Sequence, residues 1–215
     1  MKRIGILALV LAVLSLGACD LIGIRGNGHI VTDQRSISDF SEISASGGLK
    51  IEWRSGPASL SITTDENLLK YISSRVEDSK LRLRTRERLR PTDHIRVTIT
   101  TPKLLGAQLS GAVDLAAHNL TGAKFYVRGT GACDVTLDGA VDELLADFTG
   151  AGDLRAKSLQ VKTAEVTATG AADAVVNVSD VLRVSVTGAG DVVYYGNPKT
   201  LEKHVVGAGS VNHKE

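Results

Sequence analysis

An all-β fold is expected: a parallel β-helix or β-roll solenoid of about six 19-residue coils, preceded by an irregular β-rich cap region. Three observations predict it, namely a repeated motif, its spacing, and the alternation around it. The motif reads Ser110-Gly111-Ala112-Val113-Asp114 and recurs as Thr130-Gly131-Ala132-Cys133-Asp134, Thr149-Gly150-Ala151-Gly152-Asp153, Thr169-Gly170-Ala171-Ala172-Asp173 and Thr187-Gly188-Ala189-Gly190-Asp191. A worn last copy follows as Val206-Gly207-Ala208-Gly209-Ser210. The intervals between motif glycines are 20, 19, 20, 18 and 19 residues, the spacing of a stacked supersecondary unit. On both sides of each glycine, apolar residues occupy every second position, as in Phe125/Val127, Leu144/Ala146/Phe148 and Leu182/Val184/Val186. Period 2 is the mark of a strand with one buried face, whereas a helix needs 3.6.

Each repeat in residues 105–215 therefore reads as strand, glycine-marked bend, strand and short corner, with corners expected at 118–122, 138–141 and 196–199. Gly111, Gly131, Gly150, Gly170, Gly188 and Gly207 fall in phase with the inward positions, where a side chain would crowd the axis at the bend. Small residues two places on (Val113, Cys133, Gly152, Ala172, Gly190 and Gly209) suit the same narrow point. The Ser/Thr, Ala and Asp of the motif are expected to face outward as three stripes.

Upstream, residues 1–18 form a targeting segment that takes no part in the fold. Lys2 and Arg3 precede an apolar run over residues 4–16 that is short for a permanent span, and Leu16-Gly17-Ala18 leads into Cys19. This resembles a bacterial lipoprotein signal, in which Cys19 is acylated and becomes the new N-terminus, tethering the chain to a membrane without crossing it. Cleavage removes Lys2 and Arg3 and takes the formal net charge from +1 to −1. Asp20 follows the lipidated position. In the Gram-negative lipoproteins that this segment resembles, Asp there favours the periplasmic face of the inner membrane over the outer membrane. Residues 19–28 then serve as lipidated Cys and tether.

Residues 29–104 lack the repeat but alternate at Leu49–Trp53, Leu60–Thr63, Leu81–Arg84 and Ile95–Ile99. Between them, residues 65–72 read as one or two helical turns capped by Asp65. Gly47-Gly48 resembles a degenerate first copy of the motif. The region is the cap that an open strand edge requires.

The succession Phe40-Ser41-Glu42-Ile43, Gly47–Ile51, Asn67-Leu68-Leu69, Leu81-Arg82-Leu83, residues 95–100 and Pro102-Lys103-Leu104 precedes the Ser-Gly-Ala-x-Asp repeats, all behind a lipobox. It resembles the putative auto-transporter adhesin head domain, or GIN domain, over roughly residues 30–211. The resemblance implies a secreted or lipid-anchored β-solenoid. It brings no catalytic residues, and its adhesin label rests on likeness of shape.

Several residues could carry chemistry. Asp114, Asp134, Asp153, Asp173 and Asp191, if aligned about 5 Å apart, would repel by about 0.8 kcal/mol per pair in water. A Ca²⁺ ladder, contact with a partner, or backbone N–H groups at each bend would offset that, and the last is the structural reading. The calcium-binding β-roll has half this period. Ser110, Thr130, Thr149, Thr169 and Thr187 have no recurring base beside them and suit an exposed strand face. Cys133 reads as a small core residue. His29, His94, His118, His204 and His213 lack metal-ligand spacing. Arg82, Arg84, Arg86, Arg88 and Arg90 alternate as if on one strand face, either solvated or facing anionic lipid headgroups or an acidic polymer. Tyr126, Tyr194 and Tyr195 are too scattered for a sugar-stacking platform.

With the chain near neutrality and 4 % aromatic, no electrostatic argument points to nucleic acid. The sequence calls for no cofactor and no catalytic residue. The function expected is a non-enzymatic cell-envelope lipoprotein that binds, adheres or scaffolds through a rigid β surface. Its partners would be the membrane, through the lipid, and a protein or glycan ligand, and its exposed ends leave room for a homo-oligomer. The alternatives are a polysaccharide-acting β-helix enzyme, which would need Asp and Arg converging in one groove, and a calcium-stabilised roll in envelope assembly.

Overall fold

A computed structural model describes residues 23–215, so the expected targeting segment (residues 1–18), Cys19 and Asp20 lie outside the described residues. The chain is all-β. Its strands are β1 (Ile24–Arg25), β2 (Ile30–Arg35), β3 (Glu42–Ser55), β4 (Ser59–Asp65), β5 (Ile72–Glu77), β6 (Lys80–Thr85), β7 (Leu89–Arg90) and β8 (Arg96–Thr101). They continue with β9 (Gly106–Gly131), β10 (Asp134–Gly150), β11 (Asp153–Gly170), β12 (Asp173–Gly188), β13 (Asp191–Tyr195), β14 (Thr200–Gly207) and β15 (Ser210–His213). One short 3-10 helix spans Glu66–Tyr71.

Thirteen strands share one mixed sheet in the order β15-β13-β12-β11-β10-β9-β3-β8-β4-β2, with β14 on β12, β6 on β3 and β5 on β6. A two-stranded sheet joins β1 to β7 in parallel. From β3 to β15 the pairing is parallel and follows the repeat: Gly47 meets Gly111, Gly131 meets Gly150, Gly150 meets Gly170, Gly170 meets Gly188 and Gly188 meets Gly207. Gly47 thus holds the motif position in β3. The region before the repeats also adds antiparallel pairs, β2–β4, β4–β8 and β5–β6, which cover that end of the ladder.

The alternation becomes inward rows of like position. One row runs Phe125, Leu144, Ala164 and Leu182, and another Leu115, Val135, Leu154, Ala174 and Val192, all buried. The rows mix large and small residues, and neighbours pack closely. The Phe148 ring fills the space over Gly129, where a Cβ would come 2.7 Å from the ring. Trp53 closes the lower core at 2 % exposure.

Three expectations are corrected. The motif glycines are exposed or half-buried and do not line the interior. They have φ between +95° and +127° from Gly111 to Gly207, and a Cβ there would strike the carbonyl oxygen of the preceding row's glycine. The crowding is with the neighbouring backbone, not at the axis. The corners at 118–122 and 138–141 are not breaks, because β9 and β10 run through them, with Asn119 at φ 55° and Gly139 at φ 119° absorbing the bend. Asp65 makes no side-chain cap bond to the helix. It is fully buried and its carboxylate is engaged elsewhere, as described below.

The two ends of the ladder differ. At the far end, every residue of β14 is exposed. Leu201 and Val205 continue the rows of buried Leu182 and Val186, and Lys203 takes the place in line with Val184. A lysine in an inward row is a known means of blunting a free edge against unwanted pairing.

Candidate binding surface

The outer residues form columns one row apart. Ser46, Ser110, Thr130, Thr149, Thr169 and Thr187 make one, and Ala112, Ala132, Ala151, Ala171 and Ala189 make another, all exposed or half-buried. Cys133 lies inward at 1 % exposure, its Sγ 3.6 Å from the Gly111 and Thr130 carbonyl oxygens.

The aspartate column is the most chemically varied. Lys50 Nζ stands 3.5 Å from Asp114 Oδ2. Arg155 reaches Asp153 Oδ2 at 2.6 Å and Asp134 Oδ2 at 3.8 Å. The Asp153 N–H donates to Asp134 Oδ1 at 3.2 Å, and the Asp191 N–H to Asp173 Oδ1 at 2.7 Å. The Ser210 hydroxyl sits 2.7 Å from Asp191 Oδ1. The carboxylates are thus engaged by cations, by a hydroxyl and by the N–H of the following row. The expected bonds to N–H groups at their own bends give way to bonds across rows, since the parallel register places the next Asp directly alongside. Among the described residues no three His, Cys, Asp or Glu are grouped to hold a metal ion.

Beside this column an open groove of 530 Å³ is lined by Lys50, Arg96, Asp114, His118, Asp134 and Arg155, among others. At its rim, His118 Nδ1 is 2.7 Å from Asp138 Oδ2, and the Asn119 N–H donates to Asp138 Oδ1 at 2.7 Å. Burial pushes the Asp138 carboxyl up, but the Asn119 N–H and His118 outweigh it and hold it below its usual value. On the neighbouring face, burial and the Glu42 carboxylate push the Tyr126 phenol up to about 12.

Ion pairs across rows recur over the surface: Lys124–Glu143 at 3.1 Å, Arg128–Asp147 at 3.1 Å, Lys162–Asp142 at 2.7 Å, Arg183–Glu202 at 3.1 Å and Lys199–Asp180 at 2.9 Å. Most partners sit one repeat apart in sequence. Reading the sequence by column, not along the chain, would have found these pairs. Each is exposed and contributes little alone, yet together they link the charged columns from row to row.

The arginine stripe does not form. Arg82 and Arg84 lie on β6, which ends at Thr85, and Arg86 and Arg88 sit in the segment beyond it. The Arg86 N–H donates to the Tyr71 carbonyl at 2.9 Å, which continues the β5–β6 register by one pair, and the chain bends beyond it. Tyr194 stacks on His213 and Tyr195 lies under Lys157. A residue that sequence reasoning misread proves central to the N-terminal segment: buried Asp65 accepts the Gly28 N–H at 2.7 Å, the Thr92 N–H at 2.8 Å and the Thr92 hydroxyl at 2.7 Å.

The sequence profile of a family described as "Putative auto-transporter adhesin, head GIN domain" matches residues 39–198. The chain belongs to this family. Solved structures share the GIN-domain fold. A putative adhesin from Bacteroides fragilis NCTC 9343 is 22 % identical with a TM-score of 0.75, covering 89 % of this chain and 100 % of that one. A putative adhesin from Parabacteroides merdae ATCC 43184 is 20 % identical with a TM-score of 0.59, covering 90 % and 100 %. A putative lipid binding protein from Parabacteroides distasonis ATCC 8503 is 22 % identical with a TM-score of 0.50, covering 89 % and 99 %. At these identities the likeness to solved structures concerns the fold alone. No protein of curated function matches the sequence. No described helix is long and apolar enough to cross a membrane.

Proposed function

We propose that this GIN-domain chain is an exported lipoprotein, held to a membrane through Cys19, whose rigid wall binds a protein or glycan without catalysing a reaction. In this reading the parallel ladder is the wall of a β-solenoid of about six 19-residue coils. The observation that carries the reading is the recurrence of ion pairs from row to row over the outer face. The surface is built to be stiff and regular, with its carboxylates committed to neighbouring cations and N–H groups. The family's adhesin description agrees with it.

The groove at Asp114, Asp134 and Arg155 is where the alternative reading, a polysaccharide-acting enzyme, would place its chemistry. Such chemistry needs one carboxyl free to donate a proton beside another that stays ionised. Here each acid already has a neighbouring cation, Asp114 facing Lys50 and Asp134 and Asp153 facing Arg155.

Two fractionations test the proposal. The wild-type chain is expected with membranes and a Cys19→Ser variant in the soluble exported fraction. A variant that stays membrane-bound would refute the lipid anchor. Protease shaving then separates adhesion from scaffolding. Digestion on intact cells places the wall at the surface, where adhesion operates. Protection until the outer membrane is opened, as Asp20 favours, makes the protein a periplasmic scaffold.

A further inference from the structure

Ion pairs between rows recur along the outer wall from β9 to β14, but four of the described arginines at the opposite end have none. Arg25, Arg84, Arg86 and Arg88 are all exposed, and among the described residues none of the four forms an ion pair. Arg82 differs: it is half-buried and stands 3.2 Å from Glu77. Lys80 likewise meets Glu42 at 2.9 Å. Arg84, Arg86 and Arg88 share residues 84–88 with a single acid, Glu87, and Asp93 further on is taken by Arg96 at 2.9 Å.

Their place in the fold gives the cluster a direction. The Ile24 N–H donates to the Arg88 carbonyl and the Gly26 N–H to the Arg90 carbonyl, each at 2.9 Å, so β1 lies along β7. The register sets Arg25 beside Arg90. This pairing brings the start of the described chain onto the arginine segment. Gly23 follows Cys19 by four residues in the sequence, and a chain of that length spans at most about 14 Å. A membrane holding Cys19 therefore lies within reach of these side chains, inside about two Debye lengths at physiological salt.

We propose that Arg25, Arg84, Arg86 and Arg88 form a docking patch for anionic phospholipid headgroups, which lays the tethered end of the molecule against the bilayer that holds it. The inference rests on the reading of the chain as lipid-anchored. Guanidinium groups suit the partner, since their planar donors match phosphate oxygens. A lipid anchor joined by a basic patch is also the two-signal arrangement that makes membrane attachment stable. The long axis then stands away from the surface, with β14 and β15 outermost.

The test uses the native acylated chain on vesicles of phosphatidylcholine alone or with phosphatidylglycerol, and trypsin as the probe. Cleavage after Arg86 and Arg88 is expected to slow at least ten-fold on the phosphatidylglycerol vesicles and to recover at high salt. Cleavage at Lys203, on the far strand, should be equal on both and serves as the reference. Equal cleavage after Arg86 and Arg88 on both vesicles, with the protein floating on both, overturns the patch while the anchor stands. Flotation with phosphatidylglycerol vesicles only, with protection, removes the anchor and keeps the patch. Equal protection by soluble heparin on neutral vesicles would make it a general polyanion site and overturn the membrane assignment.

Discussion

Gly150→Ala is expected to lower the free energy of unfolding by about 3 kcal/mol or more. The residue sits at φ +127°, a region L-residues rarely enter, and its new Cβ would lie 2.3 Å from the Gly131 carbonyl oxygen. That oxygen accepts the Ala151 N–H at 2.9 Å, so it cannot retreat without losing the bond that joins two rows. Strain and a broken row contact therefore add. Gly48 is the control, since it faces the exposed alanine column opposite Ala112 and a Cβ there meets nothing within 4 Å. Gly48→Ala should be neutral or stabilise by a few tenths of a kcal/mol through the unfolded chain. Urea unfolding of the two variants compares them directly. A Gly150→Ala midpoint close to wild type would refute the role assigned to the backbone contact.

Asp65→Ala should cost about 4 kcal/mol, because it strips a buried site of three hydrogen bonds to a charged acceptor and leaves two N–H groups unpaired. The effect depends on pH. Burial pushes the Asp65 carboxyl up, but the Thr92 N–H, the Thr92 hydroxyl and the Gly28 N–H outweigh it, so the folded value lies below the ordinary one. A carboxyl depressed on folding gives its full stabilisation above the unfolded value of about 3.9 and loses it as pH falls through the folded value. Asp65→Asn keeps the shape and removes the charge. Its deficit against wild type should be constant near neutrality and shrink below about pH 4. A deficit that does not change with pH would rule out the ionised carboxylate as the source. Loss of Asp65 also frees Gly28 and with it the run into β2, so proteolysis near residue 28 should accelerate in the same variants.

The long rows were readable because period 2 and period 19 act together: one assigns sides and the other assigns partners. Even Gly47, with no full motif around it, was recognisable from its place ahead of Leu49. What period 2 cannot convey is clearance between backbones. It put the motif glycines in phase with the core, whereas their need is set by the Gly carbonyl in the row before. Asp65 was misread for a related reason. A helix cap is a local feature, but its actual donors are Gly28 and Thr92, which are 37 and 27 residues away and belong to segments without repeat phase. The arginine alternation persists past Thr85 as a pattern only, since beyond the Tyr71–Arg86 bond the partner segment is the 3-10 helix and offers no strand to pair with. The ion pairs were present in the sequence at repeat spacing and invisible to any window shorter than a repeat.

The contrast between a covered end and a bare one also governs how the molecule would yield to force. With the N-terminal end fixed and the far end pulled along the stacking direction, the bonds between rows bear the load one behind another. The bare β14–β15 edge, held on one side only, gives way before any inner row. Each released repeat yields roughly 19 residues at about 3.4 Å apiece, close to 65 Å of slack, while the rows beneath keep their pairing. A force–extension trace should therefore climb in steps of that size, and a single all-at-once rupture would contradict it. In the lipid-anchored reading proposed above, a wall that lengthens at a set force caps the tension carried by whatever holds it.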